Sequence, residues 1–409
     1  MPLWLVLIAA VAAAPPSEAT LTTLDGQTVA GVVVGWDGKQ IELQTSGETK
    51  AFPTEQLLDL SWSHQSMASA TPVIELIDGS RLIASDVTIA KRVAAIAFKN
   101  ERKLLRVPTD KIRRIEFLPT SPPLEAALAE VENKQPAGDS LVIVKRDGEA
   151  MDYITGVVGD LAAEQVDFKW DGEQVPVKRS KIASIVFYHA KRAKLPETTC
   201  ELTLVDGSIL ASRRAQLAGA NVTAILASGP TMTIPLSQIT RFDFSSGKIA
   251  YLGDLKPTAV RWTPRVALPA GATTIAAHGL PRSNLSYSGS PLSLQWRDDP
   301  LPSRRDVRTY SRGLAIRSRT DLAYRIPDGM ARFVALAGID PASASQGHIQ
   351  LTVRGDDRVL WEGVVDGRQP PAEIDVQLGA ARRLQLVVDY GENLDYGDRL
   401  HLIEARFTK

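Results

Sequence analysis

Four times in the first half of the chain, alternating apolar and polar residues run into an Asp-Gly pair: at Asp25-Gly26, Asp78-Gly79, Asp147-Gly148 and Asp206-Gly207. Ile74-Glu75-Leu76-Ile77 and Leu202-Thr203-Leu204-Val205 carry the alternation most cleanly. Period 2 ending in Asp-Gly predicts a strand entering a tight turn, because glycine supplies the positive φ the turn requires. Later in each copy comes an apolar-Pro pair: Phe52-Pro53, Val107-Pro108, Val175-Pro176 and Ile234-Pro235, with Val177-Lys178 as the alternative in the third copy. An I-x-x-I-x-F pattern then closes the copy, as in Ile112, Ile115, Phe117 or Ile182, Ile185, Phe187. Shared landmarks in one order predict four repeats, at 20–65, 71–118, 139–189 and 198–247, each of four or five short strands with a one-turn helical step before the last. Units this small are marginal alone, so neighbours are expected to share strands or pack in pairs.

Between the second and third copies the pattern changes. Residues 119–138 read as a linker with a short helix: Ser121 as N-cap, Pro122 and Pro123 in the first turn, and a stripe of Leu124, Ala127, Leu128 and Val131 ending near Asn133. Residues 3–14 are an unbroken apolar run, too short to span a bilayer at roughly 20 residues. They fit the hydrophobic core of a secretory signal at 1–19, with Ser17-x-Ala19 as the cleavage site, although no Lys or Arg precedes them. No second run is long enough for a membrane helix. Export, to a secreted or periplasmic cell-envelope location, is the expectation.

From about residue 250 to 409 a different domain is expected. Strand-like runs lie at 292–296, 313–326, 331–339, 348–353, 359–365, 374–378, 383–388 and 400–407. Residues 310–340 are read as two such runs around the Pro327-Asp328-Gly329 turn. Ile349, Leu351 and Val353, and again Leu384, Leu386 and Val388, alternate with polar neighbours, whereas Phe333-Val334-Ala335-Leu336-Ala337 is apolar on both faces, as a central strand should be. Eight strands without convincing helices predict a jelly-roll β-sandwich, so the whole chain is all-β, small barrel-like repeats followed by a sandwich.

Composition narrows the function. Lys+Arg and Asp+Glu both number 47, so the basic excess of a nucleic-acid binder is missing and no nucleic-acid partner is expected. The single cysteine, Cys200, excludes an intramolecular disulfide and reads as a small buried residue at a strand start. His64, His189, His278, His348 and His401 are scattered without metal-ligand spacing. No nucleophile elbow, phosphate loop or triad context occurs, and repeats and sandwich leave no room for a catalytic domain, so a non-enzyme is expected. Asp356-Asp357 and Asp395…Asp398 raise calcium, but no loop has the oxygen spacing of a dedicated site, Gly355-Asp356-Asp357-Arg358 reads as a hairpin turn, and no cofactor is expected.

Within the last domain, Tyr251-Leu252-Gly253-Asp254, Tyr310-Ser311-Arg312-Gly313-Leu314-Ala315-Ile316, Leu322-Ala323-Tyr324-Arg325-Ile326, Gly338-Ile339-Asp340 and Asp395-Tyr396-Gly397-Asp398 follow one another in order. The series resembles the NPCBM family of carbohydrate-binding modules. The resemblance implies a galactose-binding-like sandwich and a sugar-binding accessory domain. Two positions depart from that pattern: Arg317 stands where the family has histidine, and His401-Leu402 where it has an Asp-Trp pair. The N-terminal copies are loosely similar to Sm-like or Src-homology-3-like barrels, whose RNA binding is not expected here for want of a basic stripe.

A sugar site needs an exposed ring against the C–H face of the sugar and polar groups for its hydroxyls. Trp262, Trp296, Tyr310, Trp361, Tyr390 and Tyr396 are the aromatic candidates, with Tyr390 and Tyr396 bracketing a loop that also carries Asp395 and Asp398. Arg304, Arg305, Arg308, Arg312, Arg317, Arg319 and Arg325 crowd together, and period 2 would put Arg317 and Arg319 on one outer strand face, where they could grip carboxylate or sulfate. The alternative for them is a solvated face balanced by Asp298, Asp299, Asp306 and Asp321. The expected ligand-binding set is Arg317, Arg319, Tyr390, Asp395, Tyr396 and Asp398. The expected function is non-catalytic binding of an extracellular polysaccharide or glycan, with the repeats as spacer or scaffold. The alternative is a structural cell-envelope component that binds envelope proteins and no sugar.

Overall fold

The computed structural model describes residues 18–63, 71–99, 103–145, 150–190, 194–266, 278–296 and 306–409. The apolar N-terminal run, Asp147-Gly148, His64, Arg304, Arg305, Asp298 and Asp299 lie outside the described residues. The chain divides into two compact units, Met1–Ser246 and Gly247–Lys409, each with its own core.

The first unit holds four strand groups. β1 (Ala19–Thr23), β2 (Thr28–Trp36), β3 (Gln40–Gln44), β4 (Thr49–Pro53) and β5 (Leu57–Ser61) form the first. β6 (Val73–Leu76), β7 (Arg81–Ile83), β8 (Asp86–Ala90), β9 (Val93–Ala97), β10 (Leu105–Pro108) and β11 (Ile112–Glu116) form the second. Helix α1 (Pro122–Lys134) follows. β12 (Asp139–Val144), β13 (Met151–Leu161), β14 (Gln165–Trp170), β15 (Glu173–Lys178) and β16 (Ile182–Val186) form the third. β17 (Cys200–Leu204), β18 (Ile209–Ala218), β19 (Asn221–Leu226), β20 (Thr231–Pro235) and β21 (Ile239–Asp243) form the fourth. In each, first and last strands pair antiparallel (β1 with β5, β6 with β11, β12 with β16, β17 with β21), and a single 3-10 turn precedes the last strand. Among the described residues the last two strands of each group do not pair with each other, so these are rolled, open sheets rather than closed barrels. Lys178 precedes the third 3-10 turn where Pro53, Pro108 and Pro235 precede the others, so Val177-Lys178 is the counterpart of the apolar-Pro pair.

The groups pair out of sequence order. β11 pairs β16, joining the second to the third, and β21 pairs β5, joining the fourth to the first. Ile115↔Ile185 and Leu60↔Phe242 occupy matching places in the two seams. β7 meets β18 at Arg81↔Ile209, where the Ile83 N–H donates to Ser208 Oγ and the Ala211 N–H donates to Ser80 Oγ, both at 2.9 Å. The spatial order is therefore third, second, fourth, first, with a pseudo-two-fold relation through the Ser80–Ser208 seam. The two halves also differ at one contact: β8 pairs β13 at Ile89↔Leu161, whereas among the described residues β18 and β2 do not pair. There Trp36, at the position matching Leu161, packs edge-on against Phe242 and Phe244.

Helix α1 buries Leu124, Ala127, Leu128 and Val131, and its contacts include Val142 and Ala183 of the third group. Ser121 holds the N-cap position, but its hydroxyl makes no capping bond; with Pro123 at the second helical position, one of the two N–H groups a cap would serve is missing.

The second unit is a two-sheet sandwich with a small flanking pair. Its strands are β22 (Ile249–Tyr251), β23 (Ala259–Trp262), β24 (Arg282–Ser283), β25 (Leu292–Trp296), β26 (Asp306–Tyr310), β27 (Gly313–Arg317), β28 (Thr320–Arg325), β29 (Arg332–Ile339), β30 (His348–Gly355), β31 (Arg358–Asp366), β32 (Ala372–Gln377), β33 (Arg383–Tyr390) and β34 (Arg399–Thr408). One sheet runs β24-β27-β34-β29-β32, with β22 also on β34, and the other runs β23-β28-β33-β30-β31. Leu314, Ile316, Phe333 and Leu402 from the first meet Leu322, Leu351, Leu386 and Val388 from the second in one core. The β25–β26 pair covers the other face of the first sheet through Leu292 and Leu294, packed with Ala315 and Ile403. That second burial is why β29 reads as apolar on both faces.

The run 313–326 is not one strand. It breaks at Ser318-Arg319, β27 and β28 lie in different sheets, and Arg319 takes a left-handed φ of 58°. Nor do the runs flanking Pro327-Asp328-Gly329 pair: β28 belongs to one sheet and β29 to the other. Both segments cross the sandwich, and alternation along a chain does not reveal such a crossing, since it reports facing and not sheet membership.

Candidate functional site

At one end of the sandwich the chain reverses three times within a small volume. The β27–β28 turn brings Arg317, Ser318 and Arg319; the end of β23 brings Trp262, followed by Thr263, Pro264 and Arg265; the end of β33 brings Tyr390, whose loop carries Asp395 and Asp398. These ten residues line a slot of about 40 Å³. The turn is tied to β23 by pairing of Trp262 with Thr320 and by the Thr263 N–H donating to the Arg319 carbonyl at 2.9 Å. The loop is tied to β30: the Gly391 N–H donates to the His348 carbonyl at 2.8 Å, and the Glu392 N–H to His348 Nδ1 at 3.1 Å.

The polar groups of the slot are unevenly satisfied. Arg319 Nη1 donates to Tyr390 Oη at 3.2 Å, and its guanidinium lies 5.6 Å from that ring's centroid. The Arg317 guanidinium stacks 4.6 Å over Tyr287, with a buried Nε that has no acceptor among the described residues. Arg265 Nη1 lies 3.7 Å from Asp395 Oδ1. Asp398 is only 3% exposed; its Oδ1 accepts the His348 N–H at 3.1 Å, while its buried Oδ2 has no donor among the described residues. Burial pushes the Asp398 carboxyl up to about 6, against the His348 N–H and the nearby Ser318 hydroxyl, which pull it down. A buried oxygen with unused acceptor capacity beside guanidinium donors and ring edges suits a ligand rich in hydroxyls.

Five of the six residues singled out in the sequence, Arg317, Arg319, Tyr390, Asp395 and Asp398, line this slot. Tyr396 is on the same loop and 65% exposed, but does not line the slot. Arg317 and Arg319 do not share an outer strand face: the strand ends at Arg317, Ser318 is buried, and Arg319 sits in the turn. Trp262, one of the six aromatic candidates but not among the favoured Tyr390 and Tyr396, belongs to the slot; Arg265 was missed, its only signal being a place three residues beyond a short strand. Trp296 and Tyr310 are structural, the indole N–H donating to the hydroxyl at 2.9 Å across β25–β26, and Trp361 packs against the core. His401 is fully buried, with Nδ1 2.8 Å from the Ser293 carbonyl, away from the slot. Of the other arginines, Arg308 pairs with Asp306 and Arg312 with Asp254, while Asp321 pairs with Arg261. Among the described residues, no group of three or more His, Cys, Asp or Glu gathers to hold a metal ion. Gly355–Arg358 is a hairpin turn with Asp356 at a φ of 52°.

Residues 268–408 match the family model of the NPCBM/NEW2 domain. Among solved structures, a CBM51 module of Clostridium perfringens GH95 in complex with methyl-galactose is similar at 18% identity and a TM-score of 0.33, covering 39% of this chain and 99% of that one. The second CBM51 module of Clostridium perfringens ZmpB, in complex with GlcNAc and joined to INT domains, is similar at 18% identity and a TM-score of 0.33, over 50% of this chain and 42% of that one. The tandem CBM51 modules of the family 98 glycoside hydrolase Sp3GH98 from Streptococcus pneumoniae SP3-BS71 are similar at 11% identity and a TM-score of 0.32, over 95% and 87%. This chain spans less than half the length of the ZmpB chain it matches. Such scores are low, and the sandwich described above rests on its own strand pairing. No curated protein matches the chain.

Proposed function

We propose, from a C-terminal unit that carries an NPCBM/NEW2 domain, that this chain is an exported, non-catalytic carbohydrate-binding protein whose sandwich holds saccharide at the rim slot. The first unit serves as spacer or scaffold. The observation that carries this is the Asp398 Oδ2, buried and without a donor among the described residues, in a slot also lined by Trp262, Tyr390 and Arg319. A sugar hydroxyl supplies the missing donor, and Trp262 and Tyr390 offer apolar ring surface to the sugar's C–H face. One water needs a cavity of about 10–15 Å³, so the slot admits a substituent of a few atoms and not a whole ring. The ring then lies across the mouth, within reach of the exposed Tyr396. Among the described residues no helix is long and apolar enough to cross a membrane.

The test is a glycan array probed with the full chain, then affinities measured by calorimetry for Tyr396→Ala and Trp262→Ala on the best ligand. Loss of about 1–2 kcal/mol, roughly tenfold in affinity, is expected for each. A chain that is held by no saccharide on the array ends this reading.

A further inference from the structure

Charge at the rim bears on which saccharides the slot accepts. Three arginines, Arg265, Arg317 and Arg319, line it against two carboxyls, Asp395 and Asp398. Arg265 and Asp395 face each other at 3.7 Å and largely cancel. Asp398 spends one oxygen on the His348 N–H. Arg317 and Arg319 have no carboxylate partner among the described residues; each guanidinium rests on a tyrosine ring instead. Neither ring neutralises it. Burial pushes the Tyr287 hydroxyl up to about 12, so the ring under Arg317 stays an uncharged phenol.

We infer that the rim slot selects acidic saccharides, taking a carboxylate or sulfate oxygen at Arg317 and Arg319 while Asp398 accepts a hydroxyl of the same sugar. This rests on the rim being the saccharide site. Two guanidinium groups without counter-ions, held by ring stacking, present N–H donors at fixed positions, which is how arginine recognises a planar or tetrahedral anion. The slot's size suits one such substituent. Where Asp398 is ionised, one carboxylate that already accepts the His348 N–H stands against the two guanidinium groups of Arg317 and Arg319. Uronates and sulfated sugars share the required chemistry: an anionic group and free hydroxyls on one ring.

The deciding experiment measures binding of the full chain to three oligosaccharides of equal length: an oligogalacturonate, a sulfated galactan and the neutral galactan, at low and high salt. Wild type should favour at least one acidic ligand over the neutral one by about tenfold, as expected for a charge-assisted hydrogen bond, with the gap narrowing in salt. Arg319→Gly, which the left-handed turn accommodates, and Arg317→Gln should remove that preference, bringing the acidic ligands down to the affinity each variant shows for the neutral one. Cooperative thermal melts at or above the wild-type temperature establish that both variants are folded, and Arg319→Lys supplies a further folded control that keeps charge but loses the fork. Preference for oligogalacturonate assigns a carboxylate, and preference for the sulfated galactan a sulfate. Equal wild-type affinity for acidic and neutral ligands, or a preference that survives both substitutions, overturns the acidic class while leaving saccharide binding intact. Failure to bind any of the three, together with an empty glycan array, overturns both.

Discussion

Burying a carboxyl without a donor for one of its oxygens costs free energy, and Asp398 carries that cost at the rim. The sign of its pH dependence follows. Its carboxyl is raised from 3.8 to about 6, so the folded state holds a proton that the unfolded chain has already released across that interval. Stability from this group is present below about 4 and is lost as pH rises through 6. Asp398→Asn should therefore flatten the melting temperature between pH 4 and 6 and leave the variant no less stable than wild type at neutral pH. Melts at a series of pH values read this directly, and parallel curves for the two proteins would contradict it. Arg319 adds a second residue-scale point. As a non-glycine residue at a φ of 58° it pays a local conformational cost, and Arg319→Gly should relieve about 0.5–1 kcal/mol of it even while the preference for acidic ligands is lost, so stability and selectivity move in opposite directions.

At the scale of elements, the loop after β33 depends on one close approach. A Cβ added at Gly391 would fall 1.7 Å from His348 Nδ1, the atom that receives the Glu392 N–H. Gly391→Ala must push the imidazole aside and shift the loop bearing Asp395 and Asp398. Saccharide affinity should fall by more than tenfold while the melting temperature drops by only a few degrees, since the two-sheet core is untouched. Calorimetric titration beside thermal melts separates the two effects. The elements themselves were largely legible: Ile349, Leu351, Val353, Leu384, Leu386 and Val388 are all buried as their alternation indicates, and so is the stripe of α1. Short β22, β23 and β24 were not, because their hydrogen-bond partners, not their own composition, make them strands. The slot was half legible for the same reason. Loop composition marked Tyr390, Asp395 and Asp398, but only the crossing at Ser318-Arg319 between two sheets brings Arg317, Arg319 and Trp262 to them.

For the molecule as a whole, two separate cores predict separable responses to damage. Ser80 and Ser208 are fully or nearly fully buried, and each hydroxyl is the acceptor for a backbone N–H across the seam between the second and fourth groups. Replacing both with alanine strands two buried N–H groups, at about 1–3 kcal/mol each. Hydrogen exchange should show faster opening around β7 and β18, with protection of β29, β33 and β34 unchanged. Loss of protection spread evenly over both units would refute independent cores.

The order third, second, fourth, first has a consequence in time. During synthesis β5 emerges early, but its partner β21 is made only after the other groups, and β7 must likewise await β18. Until then the nascent chain carries two unmatched strand edges, with Leu60 and the Ser80 hydroxyl at them, which invite pairing with a neighbour on the same message. A ribosome stalled before β17 should hold a protease-sensitive first half that turns resistant once β21 is out, so the last group closes a structure begun by the first.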